Sequence, residues 1–325
     1  MESLTKNKQT NDNLTKMITA AFGEQVQIGD GVADVKIKEL KEGFFNVAYD
    51  IKLSNKSVIL KIAPPVASNI MSYENNMMEA EVKTMQMVKE KTSVPVPAIL
   101  YYDNTHTICA ADYFFMEKLD GNNFFLEKDK MPFIDQESIL EEIGRYNDEM
   151  NQITGKSYGY FSQMEKHGSN WEDVFANMIE TVLQDGERIK IDIGTSYEEV
   201  RMIVEKAKGE LKDLTSPKLV HWDLWEGNVF VKDGKITGII DFERSLWGDP
   251  LMEYYFRAHS TNESFTRGYG EDLRKKYPKK AYLYDIYLYL IMTIETKYRC
   301  YPDDGQYNFA SAELRTAMEH LKKLL

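Results

Sequence analysis

The sequence predicts an α+β chain of two lobes, an antiparallel-sheet lobe first and a mainly helical lobe after it. Three observations carry this. At 325 residues the chain exceeds what one pair of packed layers buries around a single core, so two lobes are the natural arrangement. Up to Glu117 the strand-like runs are joined by links too short for a parallel crossover. Past Asp120-Gly121 the apolar spacing becomes helical over most of the remaining chain. Residues 1–12 are polar and aperiodic and read as a frayed end. The division is therefore a first lobe over 13–118 and a second over 119–325.

Each element has a local reason. A short helix over Leu14–Phe22 precedes strands at Val35–Leu40, Val47–Leu53 and Val58–Ile62. The six-residue link from Lys41 to Asn46 and the turn Ser54-Asn55-Lys56-Ser57 make these an antiparallel meander. From Ser72 to Glu90 the residues Met78, Val82, Met85 and Val88 recur at helical spacing, and Pro95 and Pro97 end the run. Ile99–Tyr102 and Ile108–Glu117 read as two further strands around Asp103-Asn104-Thr105-His106. Helices are expected at Gln136–Ile153, Trp171–Ile189 and Tyr197–Leu214, and four more helical stretches from about Pro250 onward. One of these, Tyr282–Arg299, is rich in tyrosines that read as packed core. Between them, Lys218–Phe242 holds short strands flanking the turn Lys232-Asp233-Gly234-Lys235.

Composition narrows the function. A net charge of −12 opposes nucleic-acid binding, which needs clustered Lys and Arg. No run reaches the roughly 20 apolar residues of a membrane helix, and the amino-terminal stretch has no apolar signal core, so a cytoplasmic protein is expected. Cys109 and Cys300 lie far apart in apolar, aromatic surroundings, which suits buried thiols better than a disulfide or a metal site. From Asp112 to Lys190, 17 acidic residues stand against 8 basic ones. That stretch is either a set of solvated helix faces or an anionic funnel for a cationic substrate.

The informative run is His221-Trp222-Asp223-Leu224-Trp225-Glu226-Gly227-Asn228, followed by a hairpin and Ile239-Ile240-Asp241-Phe242-Glu243. A hairpin of this length sets Asn228 and Asp241 side by side at its open end, with Asp223 in the loop before it. Magnesium prefers hard oxygen ligands and keeps several waters, so one carboxylate and one amide suffice beside nucleotide phosphates. A second carboxylate held off the metal can orient or deprotonate an attacking hydroxyl.

H-x-D-x-x-x-x-N followed by D-F resembles the catalytic core of protein kinases. The form here is more similar to the aminoglycoside phosphotransferase, choline kinase and fructosamine kinase superfamily. That resemblance implies a two-lobed protein-kinase-like fold and transfer of the γ-phosphate of ATP or GTP to a small-molecule hydroxyl. By it Asp223 is the catalytic base, Asn228 and Asp241 hold Mg2+, and His221 braces the loop. Asp249, in Gly248-Asp249-Pro250, would support that loop. Lys61 would reach the α- and β-phosphates and pair with Glu81, Glu79 and Glu74 being alternatives. Gly43 to Asn46 resembles the phosphate-covering loop, and Met116, Glu117 and Lys118 the hinge that meets the nucleotide base.

Trp222 departs from the family pattern, where a small residue is usual, and implies a differently shaped loop. Asn151 and Glu253 stand where relatives often carry histidine and aspartate, and neither is expected to hold metal. The rival reading is a nucleotide-binding pseudokinase or regulatory protein without turnover. Retention of Lys61, Asp223, Asn228 and Asp241 together argues against it, because a binding module has no need of the base. The partner expected is a small-molecule acceptor, an aminoglycoside-like or other amine-bearing compound if the acidic stretch acts as a funnel.

Overall fold

The computed structural model describes residues 6–23, 35–41, 45–54, 56–65 and 69–325. The expectation for Gly43 and its neighbour Phe44 lies outside the described residues. Helix α1, Asn11–Phe22, begins three residues earlier than its apolar spacing suggested, because the Thr10 side chain caps it by accepting from the Asn13 amide. The chain before it is tied down as well. Asn7 donates to the Ala63 carbonyl and the Gln9 amide donates to the Tyr49 hydroxyl.

The first lobe is a five-stranded antiparallel sheet of β1 (Lys36–Leu40), β2 (Val47–Lys52), β3 (Ser57–Ile62), β4 (Ile99–Asp103) and β5 (Tyr113–Glu117), ordered β1-β2-β3-β5-β4. The last strand starts at Tyr113, not at Ile108, since residues 104–112 form a polar turn pinned by Asp103 and Asp112. Alternation along β3 decides where its lysine goes. Val58, Leu60 and Ile62 pack with Leu14, Met17 and Ile18 of α1. Ile59 faces the opposite side with Phe114, Met116 and the residues of α2, Met77–Lys91. Lys61 shares that second face. The run expected as one helix from Ser72 is broken: a 3-10 turn, Ser72–Glu74, precedes α2, and Asn76 between them is left-handed at φ 57°.

The second lobe opens with β6 (Asn122–Asn123), α3 (Phe124–Glu127), α4 (Phe133–Asn151) and β7 (Gly159–Tyr160), followed by α5 (Trp171–Ile189) and α6 (Tyr197–Ala207). β8 (Lys218–Val220) leads into the loop carrying Asp223, then β9 (Val229–Lys232), β10 (Lys235–Ile239) and β11 (Leu246–Gly248). The β9–β10 turn places Asp233 at φ 50° and Gly234 at φ 71°, the left-handed pair that matches strand twist in a two-residue hairpin. α7 (Glu263–Tyr269), α8 (Leu273–Lys276), α9 (Pro278–Tyr298) and α10 (Gly305–Leu324) complete the chain. Tyr284, Tyr287 and Tyr289 of α9 are buried, as packed core requires. Cys109 is buried, but Cys300 is exposed because α9 ends two residues before it and the chain turns outward at φ 50°; neither forms a disulfide. Among the described residues no helix is long and apolar enough to cross a membrane.

Candidate active site

Lys61 reaches across from β3 and binds both oxygens of Glu81 on α2, at 2.7 and 2.8 Å. It also binds Asp241 Oδ1 at 2.6 Å. Burial disfavours its charge, but Asp241, Glu81 and Glu243 outweigh that and hold the ammonium well above its usual range. The other two glutamates are committed elsewhere: Glu79 pairs with Lys83 on the helix surface and Glu74 with Arg299. Glu81 is therefore the partner, and the pair ties sheet and helix to the strand end that carries Asp241.

The loop from His221 to Asn228 is fixed by its own polar groups. Asn228 Nδ2 donates to the Asp223 carbonyl at 2.8 Å and to Asp223 Oδ2 at 3.2 Å, so neither bond uses Asn228 Oδ1. The Ile240 amide donates to the Asn228 carbonyl, so the hairpin delivers Asp241 one residue further on. His221 Nδ1 accepts from the Asp223 amide, and Nε2 faces the Ile240 carbonyl at 3.0 Å. Burial lowers its pKa, so the ring is neutral with its proton on Nε2, a brace and not a base. Asp223 is pushed up to about 7, chiefly by burial, with Arg244 opposing and Asp241 and Glu243 adding to the rise.

Two non-glycine residues here are left-handed, Trp222 at φ 65° and Asp241 at φ 63°. Such a residue costs about 1–2 kcal/mol and persists only where its surroundings impose it. For Trp222 the cause is packing. Its ring stacks on Tyr287 at 5.5 Å and meets Tyr73 and Tyr160, so the bulk that looked out of place turns into the core and away from the cleft.

Support for the loop comes from Glu253, a role not read from the sequence. Its Oε2 accepts from the His221 and Trp222 amides, at 3.1 and 3.2 Å, and from Asn147 Nδ2. Asp249, expected in that role, instead caps the turn at Pro250 and accepts from the Tyr284 hydroxyl. Asn151 is structural as well, donating to the Leu219 carbonyl just before the loop. Glu253 was visible in the sequence, but only tertiary contact shows which amides it serves. Glu253→Ala strands two buried N–H groups and is expected to cost about 2–4 kcal/mol in denaturant unfolding. A variant as stable as the parent removes Glu253 as the brace.

The remaining expected residues are placed as follows. Asn46, 7% exposed, donates to Glu243 Oε2 at 2.6 Å and so links the start of β2 to the turn after Asp241. Met116 lies inside the sheet opposite Ile59 and Ile99. The Glu117 amide donates to the Ala98 carbonyl and its carboxylate accepts from the Ala98 amide, while Lys118 pairs with Asp50 at 2.6 Å. Within the acidic stretch Arg201 holds Glu180 and Glu187, Arg267 lies beside Glu137 and Glu141, and Asp185 binds Ser72 and Arg188. Among the described residues no group of three or more His, Cys, Asp or Glu side chains is arranged for a metal. The oxygens of one carboxylate and one amide, Asp241 and Asn228, nevertheless fit the modest demand of magnesium.

Residues 36–284 match the model of the APH family, described as a phosphotransferase enzyme family. Solved structures share the architecture. A candidate fructosamine-3-kinase from Haemophilus somnus 129PT superposes with a TM-score of 0.68 at 17% identity, over 94% of this chain and 96% of that one. A thermostable mutant of the aminoglycoside phosphotransferase APH(4)-Ia, in complex with ADP and hygromycin B, gives 0.63 at 16%, over 94% and 98%. APH(2″)-IIa with streptomycin and ATP gives 0.62 at 15%, over 97% and 99%. At such identities the likeness establishes the fold. No curated protein sequence matches the chain significantly.

Proposed function

Because the chain belongs to the APH family of phosphotransferases, we propose that it transfers the γ-phosphate of ATP or GTP to a hydroxyl of a small molecule, with Asp223 as base. The observation that carries this is the convergence of Lys61, Glu81, Asp223, Asn228 and Asp241 from four separate segments, Lys61 binding Glu81 and Asp241 while Asn228 binds Asp223. Asn228 Oδ1 and Asp241 would hold magnesium, which supplies charge neutralisation at the phosphates when bound. Lys61, released from Asp241 as phosphate oxygens arrive, keeps its Glu81 contact and meets the α- and β-phosphates. The nucleotide base would meet the hinge backbone from Met116 to Lys118, where the Glu117 amide is already engaged with the Ala98 carbonyl.

In the reaction the acceptor oxygen bonds to the γ-phosphorus as the bond to the bridging oxygen breaks. The hydroxyl proton passes to Asp223 and the nucleoside diphosphate leaves. Positioning and charge neutralisation do most of the work, so no covalent enzyme intermediate is required. The test is nucleotide consumption with a panel of hydroxyl compounds, against no acceptor and against a protein mixture. A protein that binds nucleotide but never consumes it faster with any acceptor is the pseudokinase instead.

The raised Asp223 pKa has a kinetic sign. The base must be ionised, so turnover at saturation is expected to rise with pH along a limb at or below about 7. Bound magnesium would lower that limb further. A parent profile that shows no acidic loss of turnover down to the onset of acid unfolding sinks the assignment. In the acidic stretch Asp120, Glu127, Glu137, Glu141, Glu180, Asp185 and Glu187 pair with lysine or arginine, and the remaining carboxylates keep negative charge that would favour an amine-bearing acceptor.

A further inference from the structure

Asn46 immediately precedes β2, in which Ala48 lies opposite Lys61 of β3. Its side chain crosses to the second lobe and donates to Glu243 Oε2 at 2.6 Å, short enough for a charge-assisted bond. Glu243 stands in the turn Phe242–Arg244, which follows Asp241 directly and packs on α2. Asn46 is held from its other side as well, where Lys6 Nζ donates to its carbonyl at 2.7 Å. Phe45, the residue before it, is buried beneath the guanidinium of Arg299 at 5.6 Å, and Arg299 in turn binds Glu74 and Glu295. Lys61 and Glu243 feel each other's charge, but the lysine directs its hydrogen bonds at Glu81 and Asp241 and leaves Glu243 to Asn46.

Two bonds thus cross between the lobes at this end of the cleft, Lys61 to Asp241 and Asn46 to Glu243. In the proposed reaction the first is given up as phosphate oxygens take its place. The second involves none of Asp223, Asn228 and Asp241, so nothing in the reaction requires it to open. Donor and acceptor are held from opposite sides: Lys61 grips the phosphates from the first lobe, while the base stands in the second. The separation of the lobes therefore fixes the distance from the acceptor oxygen to the γ-phosphorus. Reacting atoms must come within about 3–3.5 Å, and a misplacement of about 1 Å can cost roughly 100-fold in rate. An amide–carboxylate bond at this point is suited to hold that distance, since breaking it strands the donors of buried Asn46 away from water.

We propose that Glu243, acting through Asn46, is a positioning residue for phosphate transfer: the bond between them keeps the lobes in register over the nucleotide phosphates after Lys61 has left Asp241. This rests on the kinase reading of the site. In this role neither side chain takes a proton or touches the reacting atoms. A purely structural bond, by contrast, would register in stability and be indifferent to the phosphates.

The test is a double-mutant cycle on the full chain: parent, Asn46→Ala, Glu243→Ala and the two combined. Each is titrated by calorimetry with magnesium–AMP-PNP or magnesium–GMP-PNP, whichever the parent binds, and with the matching nucleoside, which has no phosphates and meets only the hinge. Thermal unfolding is followed beside them. Asn46→Ala is expected to weaken binding of the magnesium–nucleotide about 10- to 100-fold, while the nucleoside stays within about threefold. The combined variant is expected to bind no more weakly than the weaker single one, because both changes break the same bond, and the charge lost with Glu243 cancels round the cycle. If Glu243→Ala fails to fold, the comparison of the two ligands in Asn46→Ala carries the test alone. Equal losses for both ligands, no loss in Asn46→Ala, or losses that multiply in the combined variant each overturn the proposal. A parent that binds neither nucleotide removes the kinase reading itself; a parent that binds one, with Asn46→Ala indistinguishable from it, leaves the kinase reading standing and the positioning role refuted.

Discussion

Asp223→Asn is expected to lower phosphate transfer about 10²- to 10⁴-fold, the usual worth of a general base, while nucleotide affinity stays close to that of the parent. A base at this position would face the acceptor, so the donor should not register its loss. The substitution also keeps the shape of the side chain and an oxygen for Asn228 Nδ2. Stability should not fall. A carboxyl whose folded pKa is raised, here to about 7, contributes stability that is complete below its unfolded value and lost as pH rises through the folded one. Asparagine imitates the protonated form and removes that loss at neutral pH. Turnover measured beside thermal unfolding separates the cases: a large kinetic loss at unchanged or higher Tm supports the base, and wild-type turnover rejects it.

Asp241→Ala is expected to act on the donor side. Even the outer partners of a metal ligand are worth about 10- to 100-fold in affinity or activity, and a direct ligand should exceed that. Affinity for magnesium-nucleotide and turnover should both fall by more than about 100-fold, whereas nucleotide affinity without magnesium should change little or improve. The last point follows from Lys61, which is freed of its 2.6 Å contact with Asp241 yet keeps Glu81. Titrating nucleotide with and without magnesium decides it. A variant that binds magnesium-nucleotide as the parent does cannot have lost a ligand.

How far the site could be read in advance follows from how local each interaction is. The spacing from His221 to Asn228 and the two-residue turn before Asp241 are short-range, so the hairpin and its polar end were legible. Period-two alternation likewise set Lys61 opposite the residues that meet α1. Glu81 was its expected partner, with Glu79 and Glu74 as alternatives, and the face of α2 decides it: Glu81 leaves the buried side toward Lys61, whereas Glu79 lies on the surface with Lys83.

The amino-acid sequence by itself determined the two-lobed order of elements and the spacing from His221 to Asp241, since hydrophobic period and turn chemistry act over a few residues. Only the tertiary structure decided that Glu253 holds the loop and that Trp222 turns inward onto Tyr287. Those outcomes depend on groups brought together from distant parts of the chain. In a low-dielectric interior, the cost of an unpaired polar group is set by whichever neighbours the fold delivers, and no local pattern encodes that choice.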